Sequence, residues 1–389
     1  MRRILGISSI RSDYDLMSQL YKSLNEDPDV DFGILVSGAH LSPAYGYSAE
    51  LIRQDGLKII GEVETLINGD SKSSRLKTAS CFLSGSIDLI RTFNPDVMIF
   101  AGDREDVLIA AMIGGFLGIP TAHFFGGDHA SDGHIDNPVR HATSKLSTVH
   151  FVSIEEHKKR LQSIGEHESR IFVIGSVALD KFCTEKLISK DLLLEEIVVK
   201  QHGVDHPLAL LIFHPVEQEK SLATRYIKNA AEALIDSGHH VLIGYPNTDP
   251  GNYEILEIIN ELSARPEVTI YKNLSRTSFV NLLRNVKILA GNSSSGILEA
   301  ASLKLPVINV GERQRGRLAG CNVLFVDGEL INIKNAIKII ATEDFQSKIS
   351  LLSNPYGTGV SSKVATEILK TFNFSGIVKK TEDPIDARS

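Results

Sequence analysis

The feature that most constrains the fold is an alternation that runs through the chain twice. Short aliphatic, β-branched runs are followed by longer segments with apolar residues at helical spacing. The first series comprises RRILGIS, DFGILVSG, PDVMIFAGD, PTAHFFGGD, TVHFVS and RIFVIGS, with DLMSQLYKSLNE, DVLIAAMIGGFLG, PVRHATSKLS and EEHKKRLQSIG among them. The pattern restarts at PLALLIFHP and continues through HHVLIGYPN, EVTIYKN, VKILAGN and LPVINVG, with helical segments such as SLATRYIKNAAEALIDSG between. Strand–helix–strand order requires crossover connections, so each series predicts an α/β unit whose parallel sheet is covered by helices on both faces. Two Rossmann-like, doubly wound domains facing a central cleft are expected, divided near residue 180 by the charged, weakly patterned stretch 181–205. The polar tail KKTEDPIDARS is expected to fray.

In such sheets ligands sit beyond the carboxyl ends of strands, so the residues that end strands and open helices carry the chemistry. In LAGNSSSGILEA, Ser293, Ser294 and Ser295 follow a strand and open a helix. Unpaired N–H groups and hydroxyls there suit a diphosphate, and a simple N-cap is the plainer alternative. Glu299, one turn further, would repel phosphate and instead suits the two hydroxyls of a ribose, unless it only compensates the helix dipole. The next strand ends in VINVGERQRGR, and Arg313, Arg315 or Arg317 could complete an anion site. His214 ends LLIFHP, where it could donate to phosphate or be structural.

In the first half, Asp103 and Arg104 end a strand in AGDRED. Five of the 13 histidines (123, 129, 134, 141 and 150) follow within 28 residues, interleaved with Asp128, Asp132 and Asp136. That density points to proton transfer; no metal is expected, because no HExxH or close Asp/His pair stands out. Gly126–Gly127 permits close backbone approach to a ligand or merely a turn. Arg11, in GISSIRSDYD, is placed for a phosphate or for a surface ion pair.

Composition narrows the partners. The 389 residues are 42% hydrophobic, enough for two cores, and the net charge of −7 argues against nucleic acid. Three scattered cysteines fit a reducing, cytoplasmic setting without disulfide or zinc. The apolar run near the N-terminus is too short for a signal peptide, and no run of 18 apolar residues predicts a membrane span.

Taken in order, IRSDY, SGAH, AGDRED, AHFFGGD, IDNPVRHATSKLS, FHP, AGNSSSG and INVGERQRGR resemble the hydrolysing branch of the UDP-N-acetylglucosamine 2-epimerase family. The resemblance implies a glycosyltransferase-B-like fold, with residues 1–180 as the first domain, 181–358 as a UDP-binding second domain, and a helix at about 360–375 returning to the first. By motif match it implies that His214, Ser293, Ser294, Ser295, Glu299 and Arg313 hold UDP, with Arg11 reaching the phosphates. Asp103 and Asp136 match acidic catalytic positions, accompanied by Arg104 and His141. The family pattern H-x-E-G-G has glutamate where this chain has Phe125. Asp128, three residues on, then supplies the acid, or the acid–base roles differ, or the sugar does.

The implied reaction is hydrolysis of UDP-N-acetylglucosamine to N-acetylmannosamine and UDP, without a cofactor, by elimination to 2-acetamidoglucal and hydration, feeding nonulosonic acid synthesis. The alternative substrate is UDP-2,4-diacetamido-2,4,6-trideoxyglucose. A glycosyltransferase on the same fold would need an acceptor, and a UDP-sugar sensor would have no use for the carboxylates. The family also implies a homodimer or tetramer, for which VLIAAMIGGFLG is a candidate interface or, as plainly, core.

Overall fold

The computed structural model describes residues 1–67, 72–129, 135–216, 219–246, 252–272 and 274–386. Packing divides them into two compact units: one holds the described residues through Cys183 together with those from Tyr356 onward, the other those from Thr184 to Pro355.

The first unit is built on β1 (Arg2–Ser8), β2 (Val30–Ser37), β3 (Ile59–Val63), β4 (Val97–Ala101), β5 (Thr121–Phe124), β6 (Val149–Val152) and β7 (Ile171–Val173). They form one parallel sheet in the order β3-β2-β1-β4-β5-β6-β7. Its strands read as unbroken apolar runs because both faces are buried. Ile4, Val97 and Ile99 pack into a cluster on one face, and Leu5, Met98 and Phe100 into a cluster on the other.

The second unit has β8 (Leu208–Ile212), β9 (His240–Gly244), β10 (Val268–Tyr271), β11 (Ile288–Gly291), β12 (Val307–Val310) and β13 (Val323–Val326), parallel in the order β10-β9-β8-β11-β12-β13. In both sheets the chain order reverses once, between β1 and β4 and between β8 and β11. In sheets of this kind such a reversal is where a ligand crevice forms, beyond the strand ends.

Several local expectations are corrected. The charged, weakly patterned stretch 181–205 nevertheless forms the helices Lys190–Ile197 and Gln201–Asp205, and Leu193, Leu194 and Ile197 are buried behind the Ser189 cap. The tail does not fray over 377–384. Arg170 is only 2% exposed and needs partners, which the tail supplies: Nη1 donates to the Ile377 carbonyl at 2.7 Å, Nη2 to the Lys379 carbonyl at 3.1 Å and to Glu382 at 2.8 Å. The helix Lys72–Phe93 carries a serine-diluted pattern, and strands β3 and β13 are short runs of five and four residues, none of which the periodicity exposed.

The helix Ser361–Thr371 belongs to the first unit. It buries Ala365 and Leu369 beside the Arg11–Glu26 helix, and Asp180 accepts the N–H of Ser361 at 3.0 Å at its start. Among the described residues no helix is long and apolar enough to cross a membrane.

Candidate functional site

At the first unit's reversal, β4 is followed by Gly102, whose φ of +95° turns the chain so that Asp103 and Arg104 precede the helix Glu105–Leu117. Asp103 forms an ion pair with Arg140, a buried residue one turn into the helix Asp136–Leu146. Arg140 also donates to the Asp128 carbonyl at 2.8 Å and to Asn137 Oδ1 at 3.1 Å, so one guanidinium gathers three segments. Burial pushes the Asp103 carboxyl above its usual range and nearby Asp136 adds to the shift, while Arg140 opposes it. A carboxyl pushed upward in this way is better suited to proton transfer than an ordinary surface carboxylate.

His123, fully buried at the end of β5, ties the same elements from below. Its Nε2 meets the Gly102 carbonyl at 2.8 Å and its Nδ1 meets Ser144 Oγ at 3.0 Å. Burial lowers its pKa to about 3, so it stays neutral and donates from Nε2 while Nδ1 accepts. It positions groups and transfers no proton. His157 Nε2 lies 3.5 Å from Asp128 Oδ1, and Nδ1 of half-buried His141 has no hydrogen-bond partner among the described residues.

The backbone between these groups is strained. Phe125 adopts φ +64°, left-handed space that a bulky residue enters at about 1–3 kcal/mol. Gly127 follows at φ +75°, and a Cβ there would lie 2.3 Å from the His157 carbonyl oxygen, so only glycine fits.

The other candidates of the first unit stand in different settings. Arg11 opens a helix with its side chain 52% exposed and pairs with Asp15 at 3.5 Å, the surface ion pair of the plainer reading. Asp136 is 37% exposed and lies 3.8 Å from Arg75 Nη2, with no direct bond to Asp103 among those described. Asp132 and His134 lie outside the described residues. Among those described, no group of three or more His, Cys, Asp or Glu residues is arranged for a metal ion.

At the second unit's reversal, Gly291 ends β11 at φ +114°, where a Cβ would lie 2.0 Å from the Ile212 carbonyl oxygen. This close approach sets Asn292 beside the end of β8. Asn292 is fully buried; its Oδ1 accepts the His214 N–H at 2.7 Å and its Nδ2 donates to the His214 carbonyl at 2.9 Å. The Asn292 carbonyl in turn accepts from Arg313 Nη1 at 3.0 Å and Gln314 Nε2 at 3.1 Å. The loops after β8, β11 and β12 are thus fastened to one residue. Burial, then the Arg313 charge, lowers the His214 pKa to about 4, leaving a neutral donor beside a fixed cation.

Ser293 Oγ accepts the Ser295 N–H at 3.3 Å, but the expected helix is only Ser295–Leu298, continued by a 3-10 turn over Ala300–Leu303. Serine and glycine are poor helix formers, and Lys304 in left-handed space stops the turn. Any anion grip here therefore rests on loop N–H groups, hydroxyls and Arg313 rather than on a long helix dipole. Glu299, 8% exposed, accepts from Arg276 Nη2 at 2.5 Å, while its Oε2 has no partner among the described residues. Of the three arginines only Arg313 reaches this loop by a described bond; Arg315 pairs with Glu312 at 2.6 Å and Arg317 reaches Gln314 at 3.0 Å.

Sequence reasoning missed Arg140, His123's role, Asn292, Gln314 and Arg276. Arg140 and Asn292 were legible as neighbours within quoted motifs, but nothing in the sequence announced which loops they join.

The comparisons with known proteins extend over nearly the whole chain. A profile of the family described as UDP-N-acetylglucosamine 2-epimerase matches residues 22–370. UDP-N,N'-diacetylbacillosamine 2-epimerase (hydrolyzing) of Legionella pneumophila is 35% identical over 95% of this chain and 96% of the relative. GDP/UDP-N,N'-diacetylbacillosamine 2-epimerase (hydrolyzing) of Campylobacter jejuni is 31% identical over 97% and 98%. Among solved structures, UDP-GlcNAc 2-epimerase from Neisseria meningitidis, bound to UDP-GlcNAc, shares the fold with a TM-score of 0.77 at 19% identity, covering 94% of this chain and 99% of that one.

Proposed function

The chain belongs to the UDP-N-acetylglucosamine 2-epimerase family and is an enzyme of its hydrolysing kind, and from that premise we propose that its substrate is UDP-N,N'-diacetylbacillosamine, the UDP-2,4-diacetamido-2,4,6-trideoxyglucose foreseen as the alternative. The observation that carries this choice is the 35% identity, over 95% of the chain, to a relative named for that activity. UDP-N-acetylglucosamine is the second reading, favoured by the description of the family profile. Phe125 is consistent with the first reading, since it puts an apolar side chain where the family pattern has an acid.

The chemistry sets what the residues must do. A sugar C2–H has no adjacent carbonyl to acidify it, so the anomeric bond must loosen first. As the C1–O bond breaks, its electrons leave on the UDP oxygen; the C2–H electrons form the C1=C2 bond, and the proton passes to a base. Water then adds its oxygen to C1 and gives up one proton to a base or to solvent, while an acid protonates C2 from the opposite face, giving the 2-epimer beside UDP.

The second unit supplies the grip on UDP. Arg313, neutral His214 and the Ser293–Ser295 loop donate to the diphosphate, and the unsatisfied Oε2 of Glu299 accepts from a ribose hydroxyl. Fixed donors of this kind contribute about 3–4 kcal/mol each when aimed at developing charge. The first unit supplies proton transfer: half-exposed Asp136 takes the C2 proton, and Asp103, whose carboxyl burial pushes upward, returns one. Asp128, with His157, orients the Gly126–Gly127 backbone, and Arg104 and His141 line the same loops. Self-association is part of this reading, supported by Phe116, which is 87% exposed on the apolar Glu105–Leu117 helix.

The test offers the two UDP-sugars separately in deuterated water and follows free UDP and the reducing sugar. Deuterium at C2 of the product is expected, with faster turnover of the diacetamido sugar. Unlabelled product would overturn the elimination route, and faster turnover of UDP-N-acetylglucosamine would overturn the substrate choice.

A further inference from the structure

The second unit contains a cavity that the proposed reaction does not use. It has a volume of about 500 Å³, within the range of small-molecule sites. Lys287 and Ile288 at the start of β11, and Leu305 and Pro306 just before β12, form one wall. Asn292 and Gly311 follow those same strands, so the cavity lies at the sheet edge opposite the loops built around Asn292. The turn Ser237–His239 and the helix Leu330–Ile340 close its other sides.

The lining has one sign of charge. Arg284, Lys287 and Lys304 contribute cations, and among the described residues no Asp or Glu lines the cavity, although the chain carries 48 acidic against 41 basic residues. Ile288, Leu305, Ile337 and Ile340 give it an apolar floor. Among the described residues Lys287 takes part in no side-chain hydrogen bond or ion pair, and it is exposed.

Lys304 holds φ +54°, where glycine would sit without strain. Its ammonium donates to the Ser350 carbonyl, which uses one of three N–H bonds and leaves two for a ligand. Clustered cations over an apolar floor repel one another when empty, and an anion bearing an apolar body relieves that repulsion while burying the floor.

We propose that this cavity binds a small organic anion: an apolar body carrying a sulfonate, carboxylate or phosphate that sits between Lys287 and Lys304. The site is independent of the UDP-sugar reading, and either can fail alone.

The probe is 1-anilinonaphthalene-8-sulfonate, titrated by fluorescence with UDP present at saturation. N-phenyl-1-naphthylamine, which has the same rings without the sulfonate, is the control. Saturable binding of the sulfonate is expected, weakened about tenfold by Lys287→Glu. Lys304→Gly, which removes a cation while relieving the backbone, should weaken it in the same direction, and neither variant should alter binding of the uncharged control. Sulfonate binding that is unchanged in both variants, lost equally for sulfonate and control, or absent under saturating UDP would overturn the proposal.

Discussion

Asn292 and His214, 78 residues apart, are bound to each other twice: the Asn292 amide accepts from the His214 N–H and donates to the His214 carbonyl. A side chain thereby extends the backbone ladder beyond the ends of β8 and β11. Replacing Asn292 by leucine removes the partner of two part-buried backbone groups of His214, at about 1 kcal/mol each. Asn292→Leu should lower the second unit's unfolding midpoint and weaken UDP binding at least about tenfold, measured by calorimetric titration. Full UDP affinity in a folded variant would show that the fastening is dispensable.

The two carboxylates should separate by product. With Asp136 as base, Asp136→Asn slows release of UDP by about a hundredfold or more. With Asp103 as the returning acid, Asp103→Asn, which keeps a partner for Arg140, still releases UDP and accumulates the glucal. Product analysis by NMR distinguishes them, and glucal accumulating in Asp136→Asn instead would reverse the roles.

Acid should unfold the first unit early. Burial holds His40 and His157 at about 4 and His123 at about 3, below the ordinary 6.5. The unfolded chain accepts protons that the folded chain refuses, so this stability is whole above pH 6.5 and is lost as pH falls toward 4. Each histidine contributes about 1.4 kcal/mol per pH unit across its window. Urea midpoints measured from pH 7.5 to 4.5 should fall accordingly; a flat profile would contradict the neutral assignment of these rings.

The tail should matter to the first unit alone. Truncation before Val378 removes Glu382 from Arg170, whose guanidinium is then buried without its carboxylate, at about 3 kcal/mol. Scanning calorimetry should show the first unit melting lower, while UDP still raises the transition of the second.

The sequence by itself determined the two parallel sheets, because unbroken apolar runs alternating with helical segments can satisfy their backbones and bury both faces in few other ways. It also marked the strand ends where Asp103, His214, Ser293 and Arg313 stand, since glycine and polar residues interrupt the apolar pattern there. Only the tertiary structure decided which of those ends meet. Arg140 reaches Asp103 across 37 residues, and the Arg170–Glu382 pair spans 212. Neither pairing has a local signal, because a hydrogen bond at this range depends on where separate strands lie in the sheet and not on spacing along the chain. Arg11 is the opposite case: Asp15, its partner, stands four residues along the same helix, a spacing that the sequence displays.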